Sequence, residues 1–223
     1  MSIRKVPFVA TEYYHLYNRG NSKQLIFRDS QDYWRFIVLL YTCNSQSNFR
    51  MSLVNDSAEK DPYLWDRGKQ LVSIGAYCLM PNHFHILIKE KGESGITKFM
   101  QKLSTAYVMY YNLKYKRSGA LFEGKFKAEH LGTDRYLKYI FSYIHLNPIK
   151  LMQRDWKQVG IKNKNKALEY LNDYKYSSYL DFKGIKRKQN SILDIKNYPD
   201  YFPSIKNFTE EILDWINYND PLK

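Results

Sequence analysis

The chain has 223 residues, with 35 Lys and Arg against 22 Asp and Glu, a formal charge of +13 at pH 7. Hydrophobic residues at 44% and aromatic residues at 17% exclude a disordered chain, and the length suits one domain, or one domain with an appendage. The apolar run around Phe36 to Leu40 falls far short of the roughly 18 residues of a membrane span, residues 1–10 lack a signal peptide's apolar stretch, and Cys43 and Cys78 stand alone, so a cytoplasmic protein without a disulfide framework or zinc cluster is expected.

Thr11–Asn18 is rich in Tyr and ends at Arg19-Gly20-Asn21, which predicts a strand and a turn. Asp29 can cap a helix from Ser30 to about Cys43, with Trp34, Ile37, Val38 and Tyr41 on one face. Residues 44–69 are polar and read as a hairpin-like insertion. Two strands, Gln70–Leu79 and His83–Lys89, follow across Met80-Pro81-Asn82. The spacing of Ile96, Phe99, Met100, Leu103, Tyr107, Tyr110 and Tyr111 predicts an amphipathic helix from about Gly95 to Lys116. Gly119 to Leu131 reads as extended. Thr133 then caps a helix with Leu137, Ile140, Phe141 and Ile144 inward, stopped by Pro148. Strands interleaved with such helices predict an α+β fold, an antiparallel sheet with helices packed on one face. From about Asp155 the pattern weakens, the Lys162–Lys166 run reads as an exposed loop, and only 208–217 looks helical. Residues 1–154 are therefore taken as one domain and 155–223 as a basic, helical C-terminal accessory segment.

The charge is unevenly spread: +4 over residues 1–50, zero over 51–100, +6 over 101–150, +5 over 151–200 and −2 over 201–223. Such an excess suits a polyanion, because cationic side chains displace the counterions condensed on phosphate. A merely soluble basic surface would give the same number. The 21 tyrosines suit stacking on single-stranded bases and suit a protein core equally well.

Two short patterns could carry chemistry. In Pro81-Asn82-His83-Phe84-His85, positions i and i+2 of a strand share a face, so His83 and His85 project together while Phe84 enters the core. Paired imidazoles make half of a metal site, and a pair of surface histidines fits the same spacing. In Tyr143-Ile144-His145-Leu146-Asn147-Pro148, Tyr143 and Asn147 lie one helical turn apart. A phenol there could attack phosphorus and the amide could complete a metal's coordination, or the pair could be a packed tyrosine and a helix cap.

In this order the two patterns, with Tyr14–Asn21, Ile26–Asp29 and Gly119–Lys127, resemble the REP-associated tyrosine transposases of the single-tyrosine HUH transposase superfamily. The resemblance spans roughly residues 11–150. It implies a ferredoxin-like α+β fold with the histidines on a central strand, Tyr143 as nucleophile, and a metal held by His83, His85 and Asn147. Some relatives carry Gln at the last position, and the pattern asks nothing of His145, which is read as structural or DNA-facing. The implied activity is a DNA transposase that cleaves and rejoins single-stranded DNA at hairpin-forming repeats, through a 5′-phosphotyrosine and with Mg²⁺ or Mn²⁺. Histidine ligands alone would also accept zinc. The implied partner is single-stranded DNA, with no membrane. A homodimer is left open, because insertion-sequence relatives share active sites between subunits while some repeat-associated relatives act alone.

Arg19 and Asn21, at the first turn, are candidate DNA contacts. So are Lys114, Lys116, Arg117, Phe122, Lys125, Phe126 and Lys127, a basic stretch with interleaved aromatics that could follow a backbone and receive bases. Tyr107, Tyr110 and Tyr111 compete for the nucleophile's role but lack an amide one turn on and a proline stop. Two other readings stay open: a catalytically silent DNA-binding protein of the same fold, and a metal-dependent hydrolase that uses water.

Overall fold

The structure, a computed structural model, describes residues 8–47, 61–201 and 204–214. Four strands, β1 (Tyr13–Arg19), β2 (Val72–Met80), β3 (His83–Glu90) and β4 (Lys127–His130), form an antiparallel sheet in the order β2-β3-β1-β4. Helix α1 (Ser30–Thr42) joins β1 to β2, and α2 (Gly95–Lys114) joins β3 to β4. This βαββαβ path with its two crossovers is the ferredoxin-like arrangement, and the α+β expectation stands. The predicted caps are present: Asp29 accepts from the Asp32 amide and Thr133 from the Tyr136 amide, opening α1 and α3 (Asp134–Leu146).

Helices α1 and α2 pack on one face, where Phe36, Ile37, Leu40, Phe99, Leu103 and Tyr107 meet strand residues such as Leu16, Phe84 and Ile86. Helices on a single face, however, describe only half of the sheet. Ala76, Cys78, Met80 and Leu87 point the other way and are buried beneath α3, α4 (Trp156–Val159), α5 (Lys164–Asp173), α6 (Tyr179–Phe182) and α7 (Ile205–Asp214). The reason lies in β2, which is buried at all nine positions and therefore needs cover on both sides. A register shift between Ile74 and Ala76 reverses the strand's parity. Val72, Ile74, Tyr77 and Leu79 thus face one core, and Ala76, Cys78 and Met80 the other. Gly75 occupies the shift because the Tyr198 ring lies where a Cβ would go, 2.5 Å from it.

Residues beyond 155 are tied to the outer edge of β2. The Leu79 amide donates to Tyr176 O at 3.0 Å and the Ser178 amide to Tyr77 O at 2.9 Å, which covers an otherwise open strand edge. The 208–217 expectation corresponds to α7, with 215–217 outside the described residues. Of the 44–69 insertion, 48–60 lie outside them too, and 61–69 hold a short 3-10 turn at Pro62–Leu64. The extended reading of 119–131 holds only for β4. Positive φ angles at Gly119 and Gly124 turn the chain before it, and Phe122 is drawn inward by its bridge to Gly20. Among the described residues no helix is long and apolar enough to cross a membrane.

Candidate active site

The central strands β3 and β1 and the facing helix α3 bring the two patterns together. His83 and His85 share a face of β3, with ring centroids 5.0 Å apart and planes at 89°. The Tyr143 ring on α3 stands edge-on to His85, with centroids 5.4 Å apart. Asn147, at the end of α3, is buried and is the polar neighbour of both the Tyr143 phenol and the His83 imidazole. Helix α3 ends there because Pro148 has no amide to continue the ladder, and the chain tightens into a 3-10 turn over Asn147–Leu151.

Each histidine has its Nδ1 engaged. His83 Nδ1 lies 2.7 Å from the Asn82 amide oxygen, which can only accept, so the proton sits on His83 Nδ1 and Nε2 is bare. His85 Nδ1 lies 2.8 Å from His15 Nε2. Burial holds both imidazoles neutral. His83 is lowered to about 4, by desolvation first and then by the Lys150 charge, with Asn147 opposing. His85 is pushed well below the usual histidine range by burial, with His15 and His83 adding to it. Tyr143 is raised to about 12, because burial disfavours the phenolate, while Asn147 pulls the other way. The Lys157 ammonium lies 3.7 Å from the centre of the Tyr143 ring, a cation on the face of the phenol.

Three buried polar atoms here, His15 Nδ1, His85 Nε2 and the Asn147 side-chain oxygen, have no hydrogen-bond partner, although His15 Nδ1 faces Glu129 Oε2 at 3.5 Å. Unpaired buried polar atoms are costly, and a divalent cation would satisfy the Asn147 oxygen and, where it carries no proton, His85 Nε2. The donor set of two imidazoles and an amide oxygen fits such an ion, with positions left for other oxygen ligands. Among the described residues no group of three or more His, Cys, Asp and Glu stands in metal-holding geometry. His145 is structural. It is fully buried, its Nε2 is 2.7 Å from Ser178 Oγ, and burial lowers it to about 3.

A buried neutral histidine makes stability depend on pH. The unfolded chain takes up a proton near pH 6.5, whereas folded His145 does not until about pH 3. The unfolded state therefore binds more protons between those values, and stability falls as pH falls through that window. His15, His83 and His85, lowered likewise, act in the same direction. The urea midpoint of metal-free protein should drop between pH 7 and pH 5, each such histidine contributing at most about 1.4 kcal/mol per pH unit. A flat midpoint across that range contradicts neutral burial.

The expected DNA contacts separate into two groups. Lys116, Lys125 and Lys127 are exposed, and Lys125, Phe126 and Lys127 line a cleft of about 1230 Å³ with Phe8, Tyr17 and Asn18. Asn21 is exposed at the turn, and Arg19 pairs with Glu123. Lys114, Arg117 and Phe122 make contacts within the molecule. Lys114 bridges Asp29 and Asp32 at 2.8 Å each, Arg117 donates to Gln24 and to Ala120 O, and Phe122 is buried edge-on to Phe84. Neutralising Lys116 or Lys127 should each reduce the salt slope of single-strand binding by about 0.7. Lys114→Met should leave that slope alone and cost about 1–3 kcal/mol of stability, because it strips a cation from the buried Asp32. Titrations at several salt concentrations and urea unfolding separate these effects.

Three neighbours of the site carried no expectation from sequence: His15, Glu129 and Lys157. Glu129 on β4 accepts from the Tyr17 hydroxyl at 2.8 Å and from Tyr136 at 3.2 Å, and its Oε2 lies 3.5 Å from His15 Nδ1. The only sequence signal was alternation along β1, which places His15 and Tyr17 on one face, with Tyr17 opposite His85.

A ferredoxin-like sheet with paired histidines on its central strand and a tyrosine on a helix across from them is the arrangement that the motif resemblance implied. Residues 66–147 match the family of IS200-like transposases, a span that includes His83, His85, Tyr143 and Asn147. The chain is also similar to a solved structure of a REP-associated tyrosine transposase bound to a REP hairpin. That likeness covers 85% of this chain and 90% of the other, with a TM-score of 0.52 and 11% identity. The fold is thus that of a REP-associated tyrosine transposase, and the resemblance read from the motifs stands. No curated protein matches the chain.

Proposed function

We propose that the protein is a DNA transposase of the single-tyrosine type, which cleaves and rejoins single-stranded DNA at hairpin-forming repeats with a divalent metal. The observation that carries this reading is the convergence of Tyr143, His83, His85 and Asn147, with His85 Nε2 and the Asn147 oxygen left without hydrogen-bond partners. The IS200-like match over the same residues supports it, as does the hairpin held by the structural relative.

His83, His85 and Asn147 would hold Mg²⁺ or Mn²⁺. Such an ion, when bound, acts as a Lewis acid that draws charge from a phosphate oxygen. The Tyr143 oxygen attacks the phosphorus, the phenol gives up its proton, and the bond to the 3′ oxygen breaks. The DNA 5′ end is then left on Tyr143 as a phosphodiester, the other end takes a proton as a 3′-hydroxyl, and the preserved ester lets rejoining proceed without ATP. Because burial raises Tyr143 to about 12, the phenol is protonated at neutral pH and attacks only as its proton leaves. Lys157, against the ring face, favours the developing phenolate and is placed to meet the negative charge of the strand. The exposed lysines lining the cleft beside β4 would track the backbone, and Phe126 would offer a face to a base.

Labelled single-stranded hairpin DNA incubated with protein and Mn²⁺ should give a protein–DNA adduct that survives denaturant, and EDTA should abolish it. A silent DNA-binding protein gives no cleavage, and a water-using hydrolase gives cleavage without adduct. Either result overturns the proposal.

A further inference from the structure

His15 is 3% exposed and His85 6%, and a single short contact of 2.8 Å joins His15 Nε2 to His85 Nδ1. One proton must lie between these two nitrogens, and its owner decides what His85 can do. If His15 Nε2 donates, His85 carries its own proton on Nε2 and cannot ligate a metal. His15 Nδ1 is then a bare lone pair facing Glu129 Oε2 at 3.5 Å. If His85 Nδ1 donates, His85 Nε2 is bare and the His15 Nδ1 proton faces that carboxylate.

Glu129 settles the choice. It accepts hydroxyl protons from Tyr17 at 2.8 Å and Tyr136 at 3.2 Å, so it is present as a carboxylate. A negative oxygen beside His15 Nδ1 attracts a proton there and repels a lone pair. With Nδ1 protonated, neutral His15 has only Nε2 left as an acceptor, and it takes the proton of His85. His83, whose Nδ1 donates to the Asn82 amide oxygen at 2.7 Å, is fixed in the same tautomer by a different partner. Both histidines therefore present Nε2, although different strands secure them: β1 and β4 for His85, the β2–β3 turn for His83.

We propose that Glu129 and His15 are positioning residues for His85: the carboxylate orients His15, and His15 holds His85 with Nε2 bare for a divalent cation. The proposal rests on the metal reading above. Outer partners of this kind, a carboxylate behind a histidine, set the tautomer and ring orientation of a ligand, and their loss weakens metal binding about 10–100-fold.

The test uses full-length ¹⁵N-labelled protein. Long-range ¹H–¹⁵N spectra without metal report which ring nitrogen of His85 is protonated, and Mn²⁺ titration by calorimetry gives affinity. Wild type should show His85 protonated on Nδ1. His15→Gln, whose amide oxygen can still accept, should keep that tautomer and an affinity within about threefold, since the accepting partner is retained. His15→Phe should mix the tautomers and weaken Mn²⁺ binding by about 10–100-fold, with Glu129→Gln between the two. A wild-type His85 protonated on Nε2 overturns the proposal. So does Mn²⁺-binding wild type whose spectrum and affinity are indifferent to His15→Phe, and that result leaves the metal reading intact. Wild type that binds no Mn²⁺ overturns the metal reading itself, and with it the purpose assigned to the pair.

Discussion

Tyr143→Phe protein should bind hairpin DNA within about twofold of wild type and form no covalent adduct, a fall in cleavage of at least about 10³-fold. The change removes one oxygen from a ring that is otherwise kept in place. Tyr139 stacks beside that ring with centroids 6.2 Å apart, Lys157 caps it, and the His15 and His85 rings meet it edge-on. Phenylalanine fills the same space, so fold and DNA surface persist while the oxygen proposed to attack is gone. Tyr107, Tyr110 and Tyr111 cannot substitute. The Tyr107 and Tyr111 hydroxyls donate to the carbonyls of Ile26 and Leu25 and that of Tyr110 to Asp32, on the opposite side of the sheet. Adduct formation by Tyr143→Phe, read by denaturing gel with labelled DNA, would remove Tyr143 from the mechanism.

His83→Ala or His85→Ala should abolish Mn²⁺-dependent cleavage as completely as EDTA does, by at least about 10²–10³-fold, with hairpin affinity at moderate salt little changed. Each substitution deletes one of the two imidazoles proposed to hold the ion, whose rings lie 5.0 Å apart, and an amide with one histidine makes a poor divalent site. The two variants differ in stability. His85 is 6% exposed and its removal strands His15 Nε2, whereas His83 is half-buried at the strand's end beside Asn82. His85→Ala is therefore expected to lower the urea midpoint more than His83→Ala. Cleavage that survives either substitution at saturating Mn²⁺ would place the metal elsewhere.

The parts of the site that sequence conveys are those set by local periodicity. His83 and His85 fall on one face because a strand repeats every two residues, and Tyr143 and Asn147 on one face because a helix repeats every 3.6. That the two faces meet depends on the order β2-β3-β1-β4, which the motif resemblance implied and spacing alone could not. His15 and Glu129 reach His85 only through the β1–β3 and β1–β4 pairings, whose register is non-local, and Lys157 arrives from a segment with little periodicity. The basic stretch from Lys114 to Lys127 illustrates the converse. Its composition suited a DNA surface throughout, but Lys114 is committed to two aspartates and Phe122 to Phe84. A lysine count does not reveal which charges a protein has already spent on its own carboxylates. The second layer of helices is hard to read from sequence for a related reason. The parity switch at Gly75 hides a two-sided strand behind ordinary apolar spacing, and residues beyond 155 supply the cover.

In the proposed reaction the Tyr143 oxygen becomes joined to DNA. Protein trapped with single-stranded hairpin substrate and Mn²⁺, digested with nuclease and protease, and read by mass spectrometry tests it directly. One modified peptide is expected, carrying a nucleotide 5′-phosphate on Tyr143. A phosphate on any other tyrosine, or cleaved DNA with no modified peptide, would contradict it.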